Sequence, residues 1–305
     1  MADVEDALPR GIALTWGVAE HPQRGPKREL SIERIVEAAI EIADAEGLGA
    51  VSMSRVATSL GFTTMSLYRY VTSKDDLLVL MEDTASEMPI PAEDDVLPWR
   101  DGVRRWVLAV RAIYREHPWI ARVPVNGAPM TPNALLAADW LLRELRPLPL
   151  DDDEKMSSLL LFTSYVRATA ALEADLTDAT AAGLTETAGM QAALTALVTP
   201  ERFPDLSRIV AAGGYTGAPV PGVSDDFAFG LERILDGIEY HVDQHSTSGG
   251  TPATASAPVD DLEIPRTKPV REAAKARREI EGRLREARKR ERDEIRRARE
   301  RERNS

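Results

Sequence analysis

The chain has no cysteine, few aromatic residues and no long apolar run, and each absence excludes a class of protein. Without cysteine there is no disulfide framework, no thiolate metal site and no cysteine nucleophile. Aromatic residues make up only 5% of the sequence while alanine-rich segments are common, which favours helices over sheets. The most apolar stretch, residues 156–172, is interrupted by Arg167 and is too polar to span a bilayer. We therefore expect a protein without a membrane partner.

Signatures of secretion and of common enzymes are also missing. Residues 1–20 contain Asp3, Glu5 and Asp6 and no apolar run, so a secretory signal is not expected and the sequence predicts a cytoplasmic protein. The chain lacks the Gly-x-Ser-x-Gly, P-loop and Gly-x-Gly-x-x-Gly patterns, and no nucleophile can be paired with a base. We therefore expect a protein that is not an enzyme and needs no cofactor.

Charge is distributed unevenly along the chain. Residues 266–305 contain 17 basic and 9 acidic side chains, whereas the first 265 residues contain 21 basic and 41 acidic ones. The acidic body argues against wide, non-specific coating of nucleic acid. It does not exclude DNA binding, because phosphate contacts depend on the field of one face rather than on the net charge.

Apolar periodicity and turn residues predict an all-α fold. The divisions that we expect are a flexible N-terminal arm (1–30), a helix-turn-helix domain (31–88), a helical bundle domain (89–245), a disordered linker (246–268) and a charged helical tail (269–305). Within the bundle domain, helices are expected near 98–117, 131–145, 152–178, 185–198, 204–212 and 224–245.

The most informative segment runs from residue 31 to residue 87. Four residues are placed to cap the starts of successive helices, and Gly61 is placed to make the turn between the second and third. These caps are Ser31, Ser52, Thr63 and Ser73. The third helix carries small polar and aromatic residues where an ordinary surface helix carries Lys and Glu. Such a helix suits the major groove of DNA, so the sequence predicts a DNA-binding regulator.

Three blocks of this segment resemble the TetR (tetracycline-repressor-like) family of bacterial transcriptional regulators. Residues 35–39 with Gly47 resemble the family's first helix, residues 54–61 its second, and residues 66–78 its recognition helix and the start of the fourth. The rest of the chain resembles the family only in its helical style. The resemblance implies a homodimeric repressor of an inverted-repeat operator, with residues 89–245 binding a small-molecule effector and forming the dimer.

The resemblance also assigns DNA contacts to individual residues. Base-edge contacts are expected from Thr63, Thr64, Met65, Ser66, Ser54 and Arg55, and backbone contacts from Tyr68, Tyr70 and Lys74, with Arg69 in the same DNA-binding set. The chemistry agrees, because hydroxyls donate or accept at base edges and a lysine directs its charge to phosphate. Independently of the family, Arg24, Lys27 and Arg28 form a basic arm that is expected to enter a minor groove, with a solvated terminus as the alternative.

Candidates for the effector pocket are Trp106, Met130, Trp140 and Tyr165, each with the alternative role of an ordinary core side chain. The helices near 152–178 and 224–245 carry more apolar surface than one core needs, so we expect them to form the dimer interface, with Leu235 in the contact.

His241 and His245 have the spacing of a two-imidazole metal site, but without a third ligand no metal is predicted. Two other interpretations of the chain stay open. One is a partner-binding protein that acts through the charged tail, and the other is a helical enzyme.

Overall fold

The protein is represented by a computed structural model that describes residues 7–18, 30–125, 127–183, 188–213 and 226–247, with isolated positions between 269 and 297. Throughout these ranges the regular elements are α-helices and short 3-10 helices, so the predicted all-α fold is confirmed. In the same ranges, no helix combines the length and apolarity needed to cross a bilayer.

The α-helices are numbered here in chain order. They are α1 (Arg10–Thr15), α2 (Ile32–Glu46), α3 (Met53–Leu60), α4 (Thr64–Tyr68), α5 (Lys74–Ala85), α6 (Trp99–Glu116), α7 (Pro132–Leu145), α8 (Asp152–Ala181), α9 (Ala188–Leu197), α10 (Leu206–Ala211) and α11 (Asp226–Thr247). Two 3-10 helices, Leu48–Ala50 and Pro118–Arg122, follow α2 and α6. We call α2–α5 the head and α6, α7, α8 and α11 the bundle.

Local signals place the helices of the head. The side chains of the four predicted caps accept hydrogen bonds from the backbone N–H three residues further on, which satisfies a donor left open at each helix start. Gly61 ends α3 in the left-handed conformation, with φ 74°, a region that glycine enters without steric cost. The turn at Gly61 and the cap Thr63 set the angle between α3 and α4.

The buried apolar residues form two cores. The head core is built from α2–α5 around Ile35, Val56, Leu67, Leu77 and Met81, and it also includes Ile113, Trp119, Ile120 and Val123 from beyond the head. The bundle core joins α6, α7, α8 and α11 through Trp106, Trp140, Phe162, Val166, Phe227 and Leu235. The helices of the bundle begin and end within a few residues of the predicted limits.

The expectation that residues 1–30 form a flexible arm is wrong for residues 10–15, which form α1. Ala13 and Leu14 are buried in the head core, and α1 packs along α5, where Gly11 lies against the backbone of Asp76. A helix of six residues is too short to show apolar periodicity, which explains why the sequence did not reveal it. Arg24, Lys27 and Arg28 lie outside the described residues.

Contacts divide the chain into two units, residues 1–247 and 248–305. The predicted linker lies almost wholly outside the described residues, and α11 extends through its first two positions. In the second unit, the isolated positions described are helical and exposed: Pro269, Glu272, Ala276, Ile280, Arg283, Ala287, Arg290 and Arg297.

Candidate nucleic-acid interface

Helix α4 presents one face to the head core and the other to solvent. Leu67 is fully buried in the head core, whereas Met65 is 74% exposed although it is a large apolar side chain. A methionine that is this exposed contributes little to the protomer core, and its apolar side chain is suited to contact a thymine methyl. The burial pattern therefore gives α4 an outward face at the positions predicted to touch base edges.

The polar side chains on this face are held in place by one another. Thr63 caps α4 by accepting from the backbone N–H of Ser66 at 3.3 Å, and the hydroxyls of the two residues lie 2.9 Å apart. Thr64 and Ser66 are half-buried and Thr63 is exposed. Because each hydroxyl can donate once and accept twice, this pair keeps capacity for a base edge. Thr63 thus has a structural role as well as its predicted contact.

The residues predicted to hold the DNA backbone flank this face. Tyr68, Arg69 and Lys74 are exposed, whereas Tyr70 is half-buried against the head core. Lys74 is the first residue of α5, directly after the cap Ser73. Backbone N–H groups at such a helix start point outward and favour a phosphate, so a cation there adds to an existing anion site.

Ser54 and Arg55 lie in the first turn of α3, and Arg55 already has a partner. Its guanidinium pairs with Glu46 at the end of α2 at 2.5 Å, with side chains 52% and 48% exposed. Exposed ion pairs of this kind contribute little, typically about 0–1 kcal/mol, so a phosphate or base edge can replace Glu46. No local sequence pattern indicates this pair, since the two residues belong to different helices.

The four candidates for an effector pocket do not all come together. Trp106 and Trp140 are buried in the bundle core, and their indole N–H groups donate to Ala137 O and to Glu144 Oε1, each at 2.8 Å. Tyr165 packs on the same core and donates to Phe227 O at 2.8 Å. Met130 is exposed and is not part of this core.

Two other features lie outside this set of candidates. A concavity of about 410 Å³ is lined by Leu176, Thr177, Thr180 and Ala181 of α8, none of which was a candidate. His241 lies 2.7 Å from Glu154 Oε1. Across the described residues there is no group of three metal-binding side chains, and the side chain of His245 falls outside them.

A polar cluster that was not predicted from the sequence lies where the head meets the bundle. Glu82 of α5, Tyr114 of α6 and Arg167 of α8 lie together, and burial raises the pKa of both Glu82 and Tyr114 while Arg167 opposes the rise. Burial likewise raises the pKa of Asp83, which accepts from the backbone N–H of Asn133 at 2.9 Å. These residues come from four helices, so no local pattern could have linked them.

An outward-facing helix on a small helical head, joined to a larger helical bundle, defines a DNA-binding regulator of the helix-turn-helix class. Comparison with known families agrees with this geometry. The family described as "Bacterial regulatory proteins, tetR family" matches residues 35–81, and "Tetracyclin repressor-like, C-terminal domain" matches residues 89–242. The chain belongs to the TetR family of transcriptional regulators.

Individual relatives extend the similarity over most of the chain. The HTH-type transcriptional repressor DrrR1 of Streptomyces coeruleorubidus is 37% identical over 250 residues, which cover 78% of this chain and 87% of that protein. The crystal structure of apo ActR from Streptomyces coelicolor is similar with a TM-score of 0.58 and 26% identity, over 72% of this chain and 99% of that one. ActR in complex with actinorhodin is similar over the same shares, with a TM-score of 0.59 and 26% identity.

Proposed function

We propose that this regulator is a cytoplasmic, ligand-responsive repressor that binds an inverted-repeat operator as a homodimer and has no catalytic activity. The observation that carries the proposal is the outward face of α4, where Met65 is exposed two positions before the buried Leu67. The similarity to a named repressor, DrrR1, supports repression. The similarity to ActR, which has been crystallised with actinorhodin, supports response to a small molecule.

In this proposal, residues 31–88 read DNA and residues 89–245 bind the effector and form the dimer. Base edges are contacted by Thr63, Thr64, Met65 and Ser66, with Ser54 and Arg55 at their side, and the DNA backbone by Tyr68, Arg69, Tyr70 and Lys74. Arg24, Lys27 and Arg28, which lie outside the described residues, are proposed to contact the minor groove. Two-fold symmetry of the dimer then requires two inverted half-sites on one face of the duplex, separated by one helical turn, roughly 34–36 Å, or by a multiple of it.

The dimer interface is proposed to lie on α8 and α11, where large apolar side chains remain exposed. Leu160 of α8 is 68% exposed and Phe229 of α11 is 55% exposed. An isologous contact of these two helices with their copies would bury both side chains in a four-helix arrangement. Leu235 was expected in this contact, but it is fully buried in the bundle core, so it belongs to the protomer interior instead.

The effector is proposed to be small and largely apolar, and to act on the bundle. Trp106, Trp140 and Tyr165 are already packed and hydrogen-bonded, so a ligand among them must rearrange the bundle core. It releases DNA only if it binds one arrangement of the heads more tightly than the other. A ligand with equal affinity for both arrangements would change nothing.

Selection of bound sites from a random duplex pool tests the proposal. The full chain should enrich one inverted repeat, whereas a protein that works only through its tail should enrich none. On the selected site, Thr64→Ala should cost about 1–3 kcal/mol at one or two base positions and little on random duplex. Thr195→Ala is a matched control, because its hydroxyl bonds to Gln191 O within α9, outside the head. An equal loss on selected and random duplex would contradict a reading role for α4.

The charged tail is proposed to add a modest, salt-sensitive affinity for any duplex, since residues 266–305 carry 17 basic side chains against 9 acidic ones. Removing residues 248–305 should leave the selected sequence unchanged and weaken binding at low salt. If specific binding disappears instead, the partner-binding interpretation of the tail gains support.

A further inference from the structure

The segment from His117 to Val123 is continuous with the bundle in the chain and packs against the head. It follows the end of α6 and contains the 3-10 helix Pro118–Arg122. Trp119 and Ile120 are almost fully buried, and they lie in the head core although they follow the head by some thirty positions in the chain. The segment is therefore packed as part of the head while remaining continuous with a helix of the bundle.

On the head side, the segment is held by one carboxylate. Asp44, in the last turns of α2, accepts from Trp119 Nε1 at 2.8 Å and lies 2.9 and 3.1 Å from His117 Nδ1. Because a carboxylate only accepts, the imidazole nitrogen must be the donor in this pair. Hydrogen bonds to a charged acceptor are shorter and stronger than neutral ones, and two donors from different directions fix the carboxylate's orientation.

On the other side, the same segment is held by α8. Arg122 pairs with Asp175 at 2.6 Å and with Asp178 at 2.8 Å, and the guanidinium of Arg167 donates to the carbonyl of Val123. The segment thus joins α2, which belongs to the head, to α8, which carries the exposed Leu160.

We propose that Asp44 is a positioning residue for operator recognition. Its hydrogen bonds to Trp119 and His117 fix the angle of each head on the dimer, and so fix the distance between the two copies of α4. The inference rests on the proposed dimeric binding to an inverted repeat. It predicts that loosening Asp44 makes the regulator tolerant of half-sites at the wrong spacing, even though Asp44 contacts no base.

Spacing tolerance distinguishes this role from a merely structural one. One base pair inserted between half-sites moves them by about 3.4 Å and rotates one against the other by about a tenth of a turn. A dimer whose heads are held rigidly loses affinity for the altered operator, whereas a dimer whose heads can tilt loses less. If Asp44 only stabilised the fold, its substitution would lower the melting temperature without altering the ratio of affinities for the two spacings.

The experiment compares the full-length protein with two variants, Asp44→Asn and Trp119→Phe. The first replaces the charged carboxylate by a neutral amide, which turns one accepting oxygen into a donor, and the second removes a donor while retaining an aromatic ring in the core. Glu41→Gln is the matched control, because it removes the same charge from an exposed position on α2. Affinities are measured for the selected operator and for versions with one base pair added or removed between the half-sites.

The spacing penalty is the ratio of the affinity for the selected operator to the affinity for an operator with altered spacing. We expect this ratio to fall by about tenfold in both variants and to stay at the wild-type value in Glu41→Gln. The reason is that a hydrogen bond to a charged group is worth about an order of magnitude in an equilibrium constant. A folded variant that keeps the wild-type penalty overturns the inference, as does a wild-type protein with no spacing preference. Should both variants unfold, His117→Phe removes only the second donor to Asp44 while keeping a ring, and a folded His117→Phe with the wild-type penalty overturns the inference. A wild-type protein that selects no duplex would instead reject the proposed function.

Discussion

A pair of glycines on α11 offers a sharp test of how α11 packs on α8. A Cβ added at Gly230 would lie well inside van der Waals contact of the Tyr165 hydroxyl and 2.9 Å from its Cζ. That ring is already fixed, because its hydroxyl donates to Phe227 O at 2.8 Å and it stacks on Phe227 with centroids 5.4 Å apart. Gly237 lies two turns further along the same helix, and a Cβ there meets nothing within 4 Å.

The two alanine substitutions should therefore have opposite signs. Both gain about 1 kcal/mol of helix propensity. Gly230→Ala also incurs about 1–3 kcal/mol of overpacking and about 1 kcal/mol for the displaced hydrogen bond, which leaves a net destabilisation of about 1–3 kcal/mol. Gly237→Ala keeps its gain. Adding Tyr165→Phe to Gly230→Ala removes the atom in closest conflict, so the double variant should be less destabilised than the two single changes summed.

Urea unfolding at two protein concentrations measures these changes and separates protomer stability from dimerisation. The reasoning is refuted if the two glycine variants shift the unfolding midpoint in the same direction by similar amounts. It is also refuted if the double variant is strictly additive, because Tyr165 would then not be the side chain that resists the new methyl group.

Three further predictions concern DNA, acid and assembly. Lys74→Ala should weaken binding to every duplex and lower the slope of log affinity against log salt by about one per contact; an unchanged slope with altered base preference would show that its role is misassigned. Hydrogen bonds from Arg104 and Arg100 outweigh partial burial and lower the pKa of Glu232 from 4.5 to about 2, so its contribution is complete above pH 4.5 and is lost as the pH falls towards 2. Because the side chain is about one third exposed, we expect about 1 kcal/mol, and Glu232→Gln should abolish that part of the acid-induced loss in a pH series of urea melts. Leu160→Glu should give folded monomers in sedimentation, whereas Leu235→Glu should unfold the protomer; a dimer unaltered by Leu160→Glu would move the interface elsewhere.

What the sequence revealed correctly depends on short-range chemistry. The caps Ser31, Ser52, Thr63 and Ser73 act on residues three positions away, and Gly61 needs only its own backbone conformation, so local pattern predicts both. The helix limits of the head were therefore accessible in detail.

The features that were missed depend on contacts between distant positions. Asp44 and Trp119 are 75 positions apart, and Arg55 meets Glu46 across two helices. Leu160 and Leu235 look alike in an apolar stretch, yet one is exposed and the other belongs to the protomer core. Periodicity shows that a helix has an apolar face, but it does not show whether that face meets its own chain or a second copy.

The composition of the head core limits how this regulator can be rearranged as a module. Ile113, Trp119 and Ile120 complete that core from the C-terminal side, and α1 completes it from the N-terminal side. A fragment cut at residue 88 would expose the apolar surface that these pieces cover. A chimera that transplants the operator preference of this regulator onto another bundle must therefore carry three separate stretches of chain, or redesign the seam where they meet.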